Sequence, residues 1–369
     1  MLFDTLHLPY SPSPDDDHRV MTEQIEQIVE AERLGFDTSW LTEHNFTGEC
    51  AFGDPLIFGA ALSQHTTRIR VGFAVLQMAL HHPTRVLIQA SALDNLLGGR
   101  LTIGIGRGSS FNQFEYAGFG ASTEGQRERM FEAIELMERT WGGDFSPFDG
   151  EHFQVHIHGV RPAPIQRPHP PIVLSSLSDE SLLWAAARGY PILLPRLELG
   201  RAGERIAFFT NAMREAGQGE ETIDRILDHC AVTRSIYLAD SEQQARAIAD
   251  PATARANAGR AHAKTLNTAQ MAVPMEAWRA PGTTADAAEA AEGVSSVIQR
   301  TFIIGTPEMA HEKLAELGEA GVRRVMLAFS WGDLAHDRVL ESMARFSAEV
   351  IPRLQARDAG SPVRSAVAS

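Results

Sequence analysis

The chain has 369 residues, 44% of them hydrophobic and 22% charged, and its formal net charge is -14 at pH 7. The composition excludes a disordered chain, and the length suits one elaborated α/β barrel, for which roughly 250 residues is typical. The acidic balance disfavours nucleic acid as a partner, and no apolar run reaches membrane-spanning length. No signal peptide or CxxC pair is recognisable, so we expect the reducing cytoplasm as the location.

Apolar runs of strand length alternate with helical patterns along the chain, which is the order of βα units around a parallel sheet. We predict about eight strands, at Leu2–Leu8, Thr38–Leu41, Ile69–Met78, Leu101–Ile105, Ile172–Leu174, Ile192–Leu194, Ala231–Leu238 and Arg324–Phe329. Proline in the first turn predicts helix starts at Pro55, Pro83 and Pro307. The expected α/β fold is a TIM-type (β/α)8 barrel, a single domain over residues 1–357.

Two segments do not fit a minimal barrel. Residues 142–171, after the fourth helix, contain the alternating stretch His152–His158, for which we expect a short hairpin or edge strand. Residues 251–299, after the seventh strand, are dominated by Ala, Thr and Glu. Loops at the C-terminal ends of barrel strands surround the active site, so this insertion is either a lid or a helical decoration. We expect a flexible tail at residues 358–369.

A glycine-rich stretch, Gly98–Gly108, is the most informative motif. It combines a buried strand with Arg107 at the strand end, and its glycines remove side chains where a ligand could approach the backbone. It is not the dinucleotide fingerprint, because Ser109 stands where the third glycine would fall. The motif predicts either a plain tight connection or a loop that holds a small anion such as phosphate.

The end of the fifth strand carries hydroxyl groups. The segment Ser175–Ser178 stands immediately before a helix pattern that begins near Asp179. The unpaired N–H groups of a helix N-terminus, together with these hydroxyls and Arg107 from the neighbouring strand, would make an anion pocket. In the alternative interpretation, Ser178 is only a helix N-cap.

Histidines are the other candidate functional residues. His44 follows the second strand and could act as a general base, since its unperturbed pKa is about 6.5, or could be a hydrogen-bonded core residue. The alternation places His152, His156 and His158 on one strand face. No carboxylate or cysteine follows them at ligand spacing, so we predict no metal site. Hydrolase and Walker motifs are not present in the sequence.

Taken together, these motifs resemble the bacterial luciferase-like family of flavin-dependent oxidoreductases. The resemblance rests, in this order, on Ala31–Asp37, Trp40–Phe46, Arg70–Phe73, His82–Pro83, Gly99–Gly108, Pro162–Pro171, Ser175–Ser178 and Gly305–Glu308. It implies a TIM-type barrel that binds a flavin at the C-terminal face, either FMN or the deazaflavin F420.

Carried over by position, the resemblance implies the residues of a flavin site. Arg107 matches the arginine that binds the flavin phosphate. The strand-five residues that would complete the phosphate site are Ser175, Ser176, Leu177 and Ser178. The family also often carries a non-proline cis peptide under the flavin ring, which would fall at Ala74–Val75.

His44 matches the histidine near the reactive edge of the flavin, and we include the adjacent Glu43 among the cofactor-binding candidates. Two departures from the luciferase pattern exclude any inference of light emission. Asn45 replaces a second histidine, and Ser175 replaces an acidic residue.

The resemblance implies a two-component monooxygenase. Reduced FMN from a separate flavin reductase would react with O2 to form a flavin peroxide, which oxygenates a small apolar organic substrate with His44 as the base. One alternative is an F420-dependent hydride-transfer enzyme on the same barrel. A second is a noncatalytic flavin-binding partner subunit, which need keep neither His44 nor Arg107. By analogy with the family we also expect a homodimer.

Overall fold

The computed structural model describes residues 1–108, 113–269 and 301–359. The strands are β1 Leu2–His7, β2 Thr38–Leu41, β3 Arg70–Phe73, β4 Leu76–Gln77, β5 Leu101–Gly106, β6 Phe148–Asp149, β7 Gln154–Val155, β8 Ile172–Ser175, β9 Ile192–Leu194, β10 Ala231–Leu238, β11 Phe302–Gly305 and β12 Arg324–Ala328. The α-helices are Asp17–Leu34, Pro55–Leu62, Pro83–Leu96, Gln113–Gly118, Gln126–Trp141, Asp179–Arg188, Leu199–Glu215, Glu220–Leu227, Glu242–Ala269, Pro307–Glu319, His336–Arg345 and Ile351–Ala359.

Parallel strands close into a barrel in the order β1, β2, β3, β5, β8, β9, β10 and β12. Closure comes from β12, where Arg324 stands opposite Leu2 of β1 on one side and Ala231 of β10 on the other. The predicted TIM-type barrel is therefore confirmed, with helices around a parallel ring. In such a ring the C-terminal ends of all the strands meet at one rim.

Local signals set the helix starts as the sequence predicts. Helices begin at Pro55, Pro83 and Pro307, where the missing proline N–H costs no hydrogen bond. Asp54 caps the first of them by accepting two backbone N–H groups of its first turn. Gly35 ends the helix Asp17–Leu34 with a φ of 87°, a left-handed conformation that favours glycine.

Two strand predictions need correction. The predicted third strand, Ile69–Met78, is not continuous, because β3 and β4 are separated by a cis peptide at Ala74–Val75. Apolar residues stand on both sides of the break, so the hydrophobic pattern does not show it. The sequence reading also missed β11, a buried strand of four residues that pairs with Ser235–Leu238 of β10.

The insertions differ from the prediction in detail. Within residues 142–171, β6 and β7 form an antiparallel hairpin, so only Gln154–Val155 of the alternating stretch is a strand. The carboxylate of Glu132 holds the hairpin turn by accepting three successive backbone N–H groups. The helix Glu242–Ala269 begins before the predicted start of the second insertion and runs through Pro251.

The remaining predictions for the insertions and the tail fall mostly outside the described residues. The part of the expected lid from residue 270 to 299 lies outside them, and so do residues 360–369 of the expected tail. Residues 358 and 359 belong to the helix Ile351–Ala359. Among the described helices, none has both the length and the apolar character that crossing a bilayer requires.

Large side chains fill the barrel near the N-terminal ends of the strands. Trp40 packs inside the barrel with Leu6 and Met326, and its indole N–H donates to Oδ2 of Asp4 at 2.8 Å. The Nη1 of Arg324 donates to Oδ1 of the same carboxylate at 2.8 Å. This packing blocks one end of the barrel and leaves the opposite rim for a ligand.

The close approach of Gly72 to Trp40 predicts the effect of one added methyl group. In Gly72→Ala the new Cβ would overlap the indole ring, which is fixed by its bond to Asp4. We expect a loss of about 1–3 kcal/mol in the free energy of unfolding, measured by urea denaturation.

Gly200→Ala is the matched control, because a Cβ there has no atom within 4 Å and the residue lies in the helix Leu199–Glu215. It should leave stability unchanged or raise it by about 0.5–1 kcal/mol. Equal stability of Gly72→Ala and the unmodified protein would contradict the packing argument.

Candidate functional site

The C-terminal rim encloses a cavity of about 170 Å³. Residues that follow different strands line its wall, among them Leu8, Thr42, His44, Ala74, Ser175 and Arg196. Three of the residues proposed from the sequence, His44, Ala74 and Ser175, therefore meet at one cavity. His44 has a partly exposed side chain on this wall, so it is not a core histidine.

The imidazole of His44 contacts a buried carboxylate. Its Nδ1 lies 3.5 Å from Oε1 of Glu115, whose side chain has no exposed surface. Burial opposes protonation, but the hydrogen bond to Glu115 and the charges of Glu49, Glu115 and Glu43 outweigh it and raise the pKa of His44 to about 9. In the protein without ligand, His44 is therefore a protonated donor at neutral pH.

A second buried carboxylate, Glu43, stands beside the first. Its Oε1 lies 2.7 Å from Nε2 of His81, and its Oε2 accepts the backbone N–H of Gln77 at 2.6 Å. The side-chain amide of Gln77 donates to the carbonyl oxygen of Glu43 and to Oε2 of Glu115, each at 2.9 Å. These five residues, His81, Glu43, Gln77, Glu115 and His44, are called the carboxylate network below.

Sequence reasoning found only part of this network. It proposed His44 and Glu43, but it gave no role in a flavin site to His81, Gln77 or Glu115. Glu115 lies on the helix Gln113–Gly118, far along the chain from His44. The sequence does not show that a glutamate of this short helix becomes fully buried beside His44.

Two buried polar atoms of this region have no hydrogen-bond partner. They are the side-chain Nδ2 of Asn45 and the Oε1 of Gln77. The backbone N–H of Asn45 donates to Glu115 at 2.6 Å, so both orphaned atoms belong to residues held by the same carboxylate. A buried donor and acceptor left unpaired cost free energy, which favours a bound group that supplies their partners.

The cis peptide at Ala74–Val75 is present where the sequence predicts it. The backbone N–H of Ala74 donates to the carbonyl oxygen of Leu41 at 2.7 Å, which ties this bend to β2. A Cβ at Gly106 would lie 2.7 Å from the Val75 side chain, and one at Gly104 would overlap the carbonyl group of Phe73. These glycines therefore make room for the bend and for β3, rather than for a ligand as predicted.

Two arginines stand at the rim beside the predicted phosphate loop. Partial burial lowers the pKa of Arg107, and the like charge of Arg127 lowers it further. Arg127 pairs with the largely exposed Glu180, and its buried Nε has no hydrogen-bond partner. A pair of guanidinium groups with an unsatisfied N–H fits a bound anion with several oxygen atoms. The sequence reading missed Arg127.

The serines after β8 have separate roles. Ser175 Oγ donates to the carbonyl oxygen of Leu193 at 3.1 Å, which ties β8 to β9. Ser178 caps the helix Asp179–Arg188 by accepting the N–H of Ser181, as the alternative interpretation predicts. Ser176 accepts the N–H of Ser178 at 3.3 Å, and Leu177 packs partly buried against the core. The N-terminus of the helix Asp179–Arg188 lies close to the hydroxyl of Ser176 in the sequence.

The histidines of the predicted edge strand and the two cysteines lie apart from the rim cavity. The rings of His156 and His158 lie 4.3 Å apart, while His152 lies against Gly125. Within the described ranges, no three His, Cys, Asp or Glu side chains are grouped to hold a metal ion. Burial raises the pKa of both Cys50 and Cys230 to about 12, so both thiols are neutral.

A second cavity of about 180 Å³ opens beside the first. Tyr10, Phe302 and Trp331 contribute aromatic surface to its wall, and Arg196 and Glu49 contribute charge. The Phe302 and Trp331 rings meet edge to face at 5.2 Å. Because Arg196 lines both cavities, the aromatic cavity adjoins the one that contains His44.

A closed parallel barrel with polar side chains gathered at its C-terminal rim is the architecture of TIM-barrel enzymes. A family model for luciferase-like monooxygenases matches residues 1–324, so the chain belongs to the luciferase-like monooxygenase family. The protein is therefore an oxidoreductase of that family.

Known relatives agree with this assignment. The chain is 30% identical over 352 residues to uncharacterized protein y4wF of Sinorhizobium fredii (strain NBRC 101917 / NGR234), covering 92% of this chain and 95% of that protein. It is 28% identical over 247 residues to the oxygenase component of flavin-dependent trigonelline monooxygenase of Acinetobacter baylyi (strain ATCC 33305 / BD413 / ADP1), covering 66% and 67%.

A solved structure shares the fold. The oxygenating constituent of 3,6-diketocamphane monooxygenase of Pseudomonas putida, in complex with FMN, matches with a TM-score of 0.75 and 20% identity. The match covers 96% of this chain and 99% of that one.

The contact between Glu115 and His44 predicts the effect of Glu115→Gln. A pKa raised above the unfolded value of 6.5 means that this contact stabilises the fold fully below pH 6.5, and that the stabilisation is lost as pH rises through about 9. Removing the Glu115 charge should lower the pKa of His44 by about 1 or more. NMR titration of the His44 ring measures the change.

Glu135→Gln is the control, since Glu135 is exposed on the helix Gln126–Trp141. It should leave the titration of His44 unchanged. An unchanged pKa of His44 in a folded Glu115→Gln protein would show that the carboxylate does not act on the imidazole.

Proposed function

We propose that the protein is the oxygenase component of a two-component monooxygenase. It would use reduced FMN, supplied by a separate flavin reductase, and O2 to oxygenate a small organic substrate. The observation that carries the proposal is the rim cavity that His44, Ala74 of the cis peptide and Ser175 of β8 line together. Membership of the luciferase-like monooxygenase family supports it.

The residues at the rim fit an FMN phosphate. Arg107 and Arg127 would hold the phosphate oxygens, and the buried Nε of Arg127 would gain the partner that it lacks. Ser176 and the N-terminus of the helix Asp179–Arg188 would add further donors. Ser175 and Ser178 already serve β9 and the helix cap, so their hydroxyls contribute less than the sequence reading expects.

The ring of the flavin would lie toward His44 and the bend at Ala74–Val75. Reduced FMN, when bound, supplies the electrons and the reaction with O2. With Nδ1 of His44 at Glu115, Nε2 is the nitrogen that would exchange a proton with the reactants. Because its pKa lies near 9, His44 would first donate a proton and become the base only afterwards.

The aromatic cavity supports an organic substrate beside the cofactor. Tyr10, Phe302 and Trp331 provide apolar contact area, and both of the last two are largely buried. Such walls exclude water, which protects reactive oxygen chemistry from hydrolysis. Arg196, at the boundary of the two cavities, would contact a polar atom of the substrate.

We also propose a homodimer in the cytoplasm. Ile57 on the helix Pro55–Leu62 and Ile88 on the helix Pro83–Leu96 keep 68% and 40% of their surfaces exposed, which supports burial by a second copy. Sedimentation velocity of the full chain gives the mass that tests this. The two buried cysteines, both free thiols, support the reducing compartment.

The decisive experiment is an anaerobic binding comparison of reduced FMN, reduced FAD and reduced F420, followed by admission of air. We expect reduced FMN to bind more tightly than the other two cofactors. On admission of air, absorption spectroscopy should show that bound FMN reoxidises through a species that free FMN does not form. Equal reoxidation with and without the protein would refute the oxygenase proposal. Binding of reduced F420 alone would favour hydride transfer instead, and binding without altered reoxidation would favour a noncatalytic subunit.

The phosphate site has its own prediction. Arg107→Ala should weaken binding of FMN about tenfold or more, because a hydrogen bond to a charged group contributes about 1.5–3 kcal/mol. Binding of riboflavin, which has no phosphate, should change little. Isothermal titration with both ligands separates the two effects.

Arg201→Ala removes an exposed arginine of the helix Leu199–Glu215 and is the matched control. It should leave the affinities for FMN and riboflavin unchanged. If Arg107→Ala weakened both ligands equally, Arg107 would act on the fold and not on the phosphate.

A further inference from the structure

His81 lies at the far end of the carboxylate network from His44. Its side chain is 22% exposed, and its ring lies 6.4 Å from that of the exposed Phe119. His44 lines two of three cavities at the rim, whereas His81 is not among the described residues that line them. His81 therefore lies outside these cavities, although hydrogen bonds join it to the network that contains His44.

We propose that His81 is a positioning residue for His44, acting through Glu43 and the Gln77 bridge to Glu115. The inference rests on the proposed role of His44 at the flavin site. It assigns a function to a histidine that lines none of these three cavities.

Each link of this path is a short distance between two named polar atoms. His81 holds Glu43 at 2.7 Å, and Glu43 accepts the Gln77 backbone N–H at 2.6 Å. The Gln77 amide then reaches Glu115 at 2.9 Å, and Glu115 contacts His44 at 3.5 Å. Glu43 and Glu115 are 3% and 0% exposed, so little water screens the charges along the path.

The path transmits charge and orientation, but it does not conduct protons. Gln77 donates with its backbone N–H toward Glu43 and with its side-chain amide toward Glu115. An amide N–H at neutral pH does not give up its proton, so no proton passes through Gln77. The path instead transmits an electrostatic effect, by which the protonation state of His81 changes the pKa of His44, as in coupled titrating groups.

The acidic groups that face the two histidines overlap at one carboxylate. His81 faces Glu43 and Asp54, and although burial opposes protonation, the hydrogen bond and charge of Glu43 raise the pKa of His81. His44 faces Glu43, Glu49 and Glu115. Glu43 is the carboxylate that acts on both imidazoles, so a change at His81 must alter the field that His44 experiences.

The test compares His81→Gln and Glu43→Gln in the full chain without cofactor, with the pKa of His44 measured by NMR. Glu43→Gln removes a negative charge and should lower the pKa of His44. His81→Gln removes the charge that the protonated imidazole places beside Glu43, while its amide can still donate to Glu43, and it should raise the pKa of His44 by about 0.3 or more. A purely structural role would not produce these opposite shifts.

The double variant shows whether Glu43 carries the effect. In the Glu43→Gln background, His81→Gln should leave the pKa of His44 unchanged. His82→Gln is the matched control, because the exposed His82 accepts the N–H of Thr84 at the start of its own helix and packs against Phe153, outside the carboxylate network. It should leave the titration of His44 as in the unmodified protein.

An unchanged or lowered pKa of His44 in a folded His81→Gln protein overturns the proposal. So does an equal shift in both backgrounds, which would mean that Glu43 is not the intermediary. Because the titration uses no flavin and no turnover, it stands apart from the monooxygenase assignment. If the flavin experiment failed but the titration gave the predicted shifts, the coupling between His81 and His44 would still be supported.

Discussion

The buried ion pair between Asp4 and Arg324 determines which end of the barrel is open. It joins β1 to β12, the two strands that close the ring, and Trp40 of β2 donates to the same carboxylate. Burial raises the pKa of Asp4 to about 6, even though the charge of Arg324 opposes this shift. A buried charge is tolerated only when paired, so these residues pack as one unit. They fill the N-terminal half of the barrel, and the cavity lies at the opposite rim.

At that rim the structure separates two kinds of charge. Arg107 and Arg127 gather positive charge beside the serine loop, while Glu43, Glu49 and Glu115 gather negative charge around His44. Glu43 and Glu115 are buried, so they act on His44 over short distances more strongly than surface charges would. Under the proposed function, this contrast selects the orientation of the cofactor: phosphate toward the arginines, ring toward the imidazole.

The fold and the individual rim residues could be predicted from the sequence, because alternation, helix caps and ordered motifs are local signals. The TIM-type barrel is confirmed in this way, whereas the cis peptide at Ala74–Val75, which is also present, is implied only by the family resemblance. The break after β3 and the short strand β11 could not be predicted, since apolar residues continue on both sides. Glu115 and Arg127 could not be identified as site residues for a different reason. Their roles depend on contacts between segments that are distant in the sequence, and a local sequence pattern does not predict such contacts.

Under the proposed function, the charges nearest the flavin also account for how a protein with a net charge of -14 would accept an anionic cofactor. Long-range repulsion is screened within about 8 Å at physiological salt, so the nearest charges decide binding. Near the ring these are the His44 imidazolium and the acids that hold its proton up to a pH of about 9. Glu115 thus has an indirect effect: a negative residue keeps a positive one available at the cavity wall. Without the acids, burial would favour a neutral imidazole, and the rim would lose the cation nearest to the reacting atoms.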